Sequence, residues 1–187
     1  MSEINLSALD ELLSSVNFDE VNPEYEGSGE FEDLPEGYYL CEVERAEIKL
    51  TKSTSQPMVA FMFSVVENGL QLSINERGTS EFIEVPKSKN RKIFINWVLS
   101  DENKVKKFAS DMLKFEGDTP GVPILDKEYF ITSATLEDAI NILIGLQIFV
   151  NVTKKENKTT KEIQTWNNLV SWERAEKIGL IEEKLPF

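Results

Sequence analysis

Residues 146–172 read LQIFVNVTKKENKTTKEIQTWNNLVSW, and this stretch decides the fold. Leu146, Ile148, Val150 and Val152 alternate with Gln147, Phe149, Asn151 and Thr153, the period of two that gives a strand one buried and one open face. The chain turns at a polar tip and resumes from Lys161 to Trp172, so the stretch reads as an antiparallel hairpin. A tight turn centred on Asn157 and Lys158 sets Val152 against Ile163, Phe149 against Trp166 and Lys154 against Lys161. In that register Phe149 and Trp166 share a polar face with Asn151 and Gln164, while Lys154, Lys155, Lys158 and Lys161 crowd the tip.

Working outward, Tyr38 to Leu50 and Met58 to Val66 read as two strands joined by the polar turn Thr51 to Pro57. A loop follows, with a short strand at Phe82 to Val85, and then a third main strand from Arg91 to Leu99. Ile93, Ile95, Trp97 and Leu99 point one way, which leaves Lys92, Phe94 and Asn96 on the other face. After Ser100, the positions Val105, Phe108, Ala109, Met112 and Leu113 have helical spacing, closed by Gly117. A second short helix has Thr135 and Asp138 as its capping pair, Leu136, Ala139, Ile140 and Leu143 on its apolar face, and Gly145 at its end. The order is three strands, a helical segment, then two strands. A five-stranded Greek-key barrel of the oligonucleotide-binding type, mainly β with helices, has this order.

Charge divides the chain. Residues 1–37 hold 11 acidic side chains and no basic one, so 22 of the 33 carboxylates and all 20 Lys and Arg belong to the rest. The formal net charge of −13 is therefore carried mainly by a flexible acidic N-terminal tail with a short amphipathic helix near Ile4 to Phe18. Residues 38–172 form the expected barrel domain, and residues 173–187 a C-terminal helix and tip. With no histidine and one cysteine, Cys41, the chain lacks the usual general base, a disulfide and any thiolate or imidazole metal cluster. No phosphate-binding, dinucleotide-binding or nucleophile-elbow motif is present, and Glu81, Glu84, Asp101 and Glu102 show no nuclease spacing. We expect a non-enzymatic protein without cofactor or metal. No apolar run approaches the roughly 18 residues of a membrane span, so a soluble, intracellular chain without membrane partners is expected.

Aromatic side chains on a polar sheet face point to single-stranded nucleic acid, because every base offers a π-face and stacking contributes about 1–3 kcal/mol per base. Phe149, Trp166 and Phe94 are the stacking candidates; Lys89, Arg91, Lys92, Lys154, Lys155, Lys158 and Lys161 are the phosphate candidates. The competing account covers the aromatics with a loop or the tail and leaves the lysines as solubilising charge.

The last residues, Glu182, Glu183, Lys184, Leu185, Pro186 and Phe187, resemble the partner-docking tip of bacterial single-stranded DNA-binding proteins; Lys184 and Leu185 depart from that pattern. Over about residues 34–172, the elements Leu34-Pro35-Glu36-Gly37-Tyr38, Arg91-Lys92-Ile93-Phe94, Gly145 and Asn167-Asn168 resemble a family of phage-encoded proteins thought to bind single-stranded DNA. That resemblance implies an oligonucleotide-binding barrel and a bacteriophage origin. It also implies work in DNA replication or recombination in the bacterial host cytoplasm, while the likeness of the tip implies that replication or recombination proteins dock there. The alternative is a phage-encoded inhibitor or adaptor whose acidic tail imitates nucleic acid and occupies a host protein.

Overall fold

The computed structural model describes residues 33–118 and 121–181. Within them the protein is mainly β: seven strands make one antiparallel sheet, accompanied by three α-helices. The expected N-terminal helix, the linker up to residue 32 and the tip residues Glu182 to Phe187 lie outside the described residues; the end of the expected linker belongs to the folded domain, with Leu34 buried in the core and Gly37 opening the first strand.

Strand β1 (Gly37–Leu50) organises the sheet. Tyr39, Cys41 and Val43 are fully buried. An unbroken alternation from there would drive Arg45, Glu47 and Lys49 into the core. A bulge at Glu44 prevents it: Val43 faces Phe63 but Arg45 faces Met62, so beyond the bulge Ala46 and Ile48 point inward and the three charged residues outward. The bend lets β1 serve two neighbours. Its first half pairs with β6 (Gln147–Glu156), its second with β2 (Pro57–Val65). β2 pairs with β5 (Lys92–Val98) and β6 with β7 (Ile163–Val170), giving the path β7-β6-β1-β2-β5. The two ends of that path are linked by a side chain: Asn167 Nδ2 donates to the Phe94 carbonyl at 3.4 Å.

Seven strands stand where five barrel strands and a short one at Phe82 to Val85 were expected. The additional pair, β3 (Gly69–Ile74) and β4 (Ser80–Val85), forms a hairpin joined to β1 where Leu70 faces Tyr38. Its turn is local: the Asn75 side chain accepts from Arg77 N and Thr79 N, and Gly78 supplies a φ of +76°.

Helix α1 (Glu102–Met112) is capped by Asp101, whose carboxylate accepts from Lys104 N. Helix α2 (Ser133–Leu143) starts earlier than its sequence spacing implied: Thr132 is the N-cap, in a reciprocal box with Thr135. As read from the sequence, both helices sit between the third and fourth strands of the main path. One core holds the inward residues of β1, β2, β5 and β6 with Phe108 and Met112 of α1 and Ala139, Ile140 and Leu143 of α2. A second cluster lies on the opposite face of β1 and β6. There helix α3 (Trp172–Lys177) and the turn after it bring Trp172, Ala175, Ile178 and Leu180 onto Phe149, Tyr38, Leu70 and Phe82. Around β1 and β6 the sheet is therefore buried on both sides.

Asp111 fastens α1 to the sheet. It accepts from Trp97 Nε1 at 2.9 Å and from Lys107 and Lys114 at 3.1 and 2.7 Å. Burial alone would raise the carboxyl; Lys114, Trp97 and Lys107 outweigh it and hold Asp111 below the ordinary carboxylate range. A depressed folded value means that the contribution is complete above the unfolded value of about 3.9 and is lost as pH falls through the folded value. Asp111→Asn is expected to cost about 1–2 kcal/mol at neutral pH. In urea titrations between pH 6 and pH 2 it should also flatten the acid limb of stability; an unchanged acid limb would show that Asp111 is not the linked group.

Candidate nucleic-acid interface

Three strands present an open face opposite the core. In register across β1, β2 and β5, Arg45, Met62 and Phe94 form one row, Glu47, Ala60 and Asn96 the next, and Lys49, Met58 and Val98 a third. All of them but Met58 and Val98 line, together with Phe61, a shallow groove of about 350 Å3. Phe94 stands in it 61 % exposed, where an isolated phenyl ring gains little from water and has a free face for a planar ligand. The groove cations are paired, Glu47 binding Arg45 and Lys49, each at 2.8 Å; outside the groove, Lys92 pairs with Glu44. Lys49 first, with Arg45, holds the Glu47 carboxyl below its ordinary range. A phosphate entering the groove would take over cations that Glu47 now holds.

Trp166 is 52 % exposed on the outer side of β7. The bond from its neighbour Asn167 to the Phe94 carbonyl brings the segments that carry the two free aromatics side by side. Sequence spacing selected both residues, but not the contact that joins their strands.

The third aromatic is a correction. Phe149 is only 4 % exposed, edge-on to Trp172 at 5.3 Å. Its alternation does point it away from the main core, but α3 covers that face, so Phe149 stabilises the C-terminal helix and offers no stacking surface.

The hairpin register is corrected too. Phe149 faces Val170, Thr153 faces Trp166 and Glu156 faces Ile163, which places Ile163 four residues from the predicted Val152. The cause lies in the turn. The Asn157 side chain accepts from Thr159 N and Thr160 N, Asn157 N bonds Glu162 O, and Lys161 adopts a φ of +62°. A longer loop results, with Ile163 exposed rather than in the core. Because the displacement is even, Trp166 keeps its face.

The lysines fall differently from expectation. Lys154 faces Thr165 and Lys155 faces Gln164, so the predicted like-charge pair of Lys154 with Lys161 does not form. Lys161 lies 3.5 Å from Glu156; Lys155 and Lys158 are exposed. Glu36, at the entry to β1, accepts from Lys154 N at 2.7 Å. Lys89 is exposed and Arg91 half-buried at the start of β5. Arg45, Glu47 and Lys49 were missed, and the signal for them was the conflict between unbroken alternation in β1 and three charged inward positions; Met62 joins them through the β1–β2 register.

The four carboxylates weighed as nuclease candidates do not converge. Glu81 and Glu84 lie on β4, while Asp101 and Glu102 start α1 and bond Lys104 and Lys106. Among the described residues no group of three or more Cys, Asp and Glu is placed to hold a metal ion, and no helix is long and apolar enough to cross a membrane. No protein-family model matches the chain, and no curated protein is significantly similar to it.

Proposed function

We propose that this protein binds single-stranded DNA without strong sequence preference, in a phage replication or recombination system in the bacterial host cytoplasm. In this reading β7, β6, β1, β2 and β5 are the five strands of an oligonucleotide-binding barrel, with β3 and β4 as a hairpin inserted between its second and third strands. The observation that carries it is the bond from Asn167 to the Phe94 carbonyl, which joins the two strands that carry the exposed aromatics Phe94 and Trp166, with Phe94 standing in an open groove. Bases stack on the two rings, and cations along the margin meet the phosphates. The chain performs no chemistry on its ligand. The C-terminal tip, Glu182 to Phe187, recruits replication or recombination proteins.

The test is fluorescence anisotropy of labelled oligo-dT with the full chain and with a chain lacking residues 1–33, at low salt, with duplex DNA as control. Single strands are expected to bind in preference to duplex. Removing the ten carboxylates of residues 1–33 is expected to tighten binding several-fold, a gain that shrinks as salt screens the repulsion. Absence of single-strand binding by both chains would overturn the proposal and favour the acidic segment as the ligand of a host protein's basic groove.

A further inference from the structure

The loop from Lys87 to Arg91 carries three cations in five residues, and its backbone is unusually well held. Asn68 Oδ1 accepts from both Ser88 N and Lys89 N at 3.2 Å. Asn90 N bonds Val65 O at 2.8 Å and Arg91 N bonds Ser88 O at 3.3 Å. Every backbone N–H from Ser88 to Arg91 therefore has an acceptor. The Ser88 side chain, 1 % exposed, accepts from Gly69 N and donates to Val85 O, each at 2.8 Å. Lys87 and Asn90 are held at φ values of +59° and +67°, a region that side-chain-bearing residues seldom occupy unless surrounding bonds impose it.

The cations themselves are unsatisfied. Among the described residues Lys87, Lys89 and Arg91 have no ion-pair partner, whereas the groove cations Arg45 and Lys49, and Lys92 on β5, each have a carboxylate. Three like charges on one fixed loop repel one another, and an anion relieves that repulsion. With the backbone already ordered, less conformational freedom is lost on binding. The loop runs directly into β5, and Phe94 lies three residues beyond Arg91, about 10 Å along an extended strand. A nucleotide stacked on Phe94 thus has its neighbouring phosphates within reach of the loop.

We propose that the Lys87–Arg91 loop is a preorganised clamp for the phosphodiester backbone of the bound strand, with Asn68 and Ser88 as the positioning residues that hold it. This rests on the single-strand reading above and adds Lys87, Asn68 and Ser88 to the residues that serve it.

The experiment measures affinity of the full chain for labelled oligo-dT across a salt series, for wild type and for Lys87→Ala, Lys89→Ala and Asn68→Ala, with thermal midpoints as a folding check. Each lysine variant is expected to reduce the slope of log K against log salt by about 0.7, one single-strand phosphate contact. Asn68→Ala changes no charge, so a merely structural role leaves the slope unaltered; loss of positioning reduces it, and makes Lys89→Ala cost less in that background than in wild type. Wild-type binding with unaltered slopes in the two lysine variants overturns the clamp and leaves the proposed function standing. Lysine slopes that fall while a folded Asn68→Ala keeps the wild-type slope overturn the positioning role. No wild-type binding overturns both proposals. Because Lys87 and Lys89 are exposed, their variants decide the matter even if Asn68→Ala fails to fold.

Discussion

Replacing Phe94 or Trp166 by alanine is expected to weaken oligo-dT binding by roughly 5- to 150-fold, the equivalent of about 1–3 kcal/mol of base stacking for each ring. The double variant is expected to bind too weakly to saturate at micromolar protein. Both rings are more than half exposed, at 61 % and 52 %, so thermal stability should hardly move, as for other surface substitutions. That separation of binding from stability distinguishes a stacking surface from a packing role. Undiminished affinity in the folded double variant would remove the aromatic platform from the mechanism, whatever the lysines do. Phe94→Leu is a useful companion, because it keeps an apolar side chain but no π-face and should bind almost as weakly as the alanine variant.

The second large effect concerns Gly69, where β3 begins. A Cβ built there would lie 2.3 and 2.4 Å from two atoms of the Tyr39 ring and 3.0 Å from the Tyr38 carbonyl oxygen. Tyr39 has no room to withdraw: it is fully buried, and its hydroxyl donates to the Pro35 carbonyl at 2.7 Å. Burial, opposed by the nearby Arg91 charge, raises this phenol to about 12, so it stays a neutral donor throughout the working pH range. Gly69→Ala is expected to cost about 3 kcal/mol through overpacking, a fall of roughly 6–12 °C in Tm for a chain of this size. Pairing it with Tyr39→Leu should recover part of that loss, since the smaller side chain vacates the space. A Gly69→Ala protein as stable as wild type would mean that the hairpin swings away from β1 at little cost.

The main path of the sheet was legible because its strands carry their burial in local alternation. Ile93, Ile95 and Trp97 are buried and Phe94 is free, as their spacing implied, and Ile148, Val150 and Val152 likewise face the core. Helices α1 and α2 were legible from their apolar spacing, but the N-cap of α2 is Thr132 and not Thr135. The β3–β4 hairpin was half legible: Phe82 to Val85 reads as a strand, but Gly69 to Ile74 is short, and its apolar Leu72 and Ile74 remain exposed, so no core pattern marks it. Of the three stacking candidates, Phe94 and Trp166 are free and Phe149 is covered. The alternation that turned Phe149 away from the core was read correctly; what lies over it comes from α3, at the far end of the chain.

By itself, then, the sequence determined the five main strands and the first two helices, the apolar face of β5 and β6, and how charge is divided between the first 37 residues and the rest. These follow from side-chain period, capping groups and composition, all local quantities. Only the tertiary structure decided the β6–β7 register, the bulge at Glu44 that turns Arg45, Glu47 and Lys49 outward, and the burial of Phe149. It also decided which of the described cations have a carboxylate partner. Each of these depends on atoms brought together from distant parts of the chain or on backbone hydrogen bonds that reset pairing, and a residue's own neighbours in sequence carry no record of either.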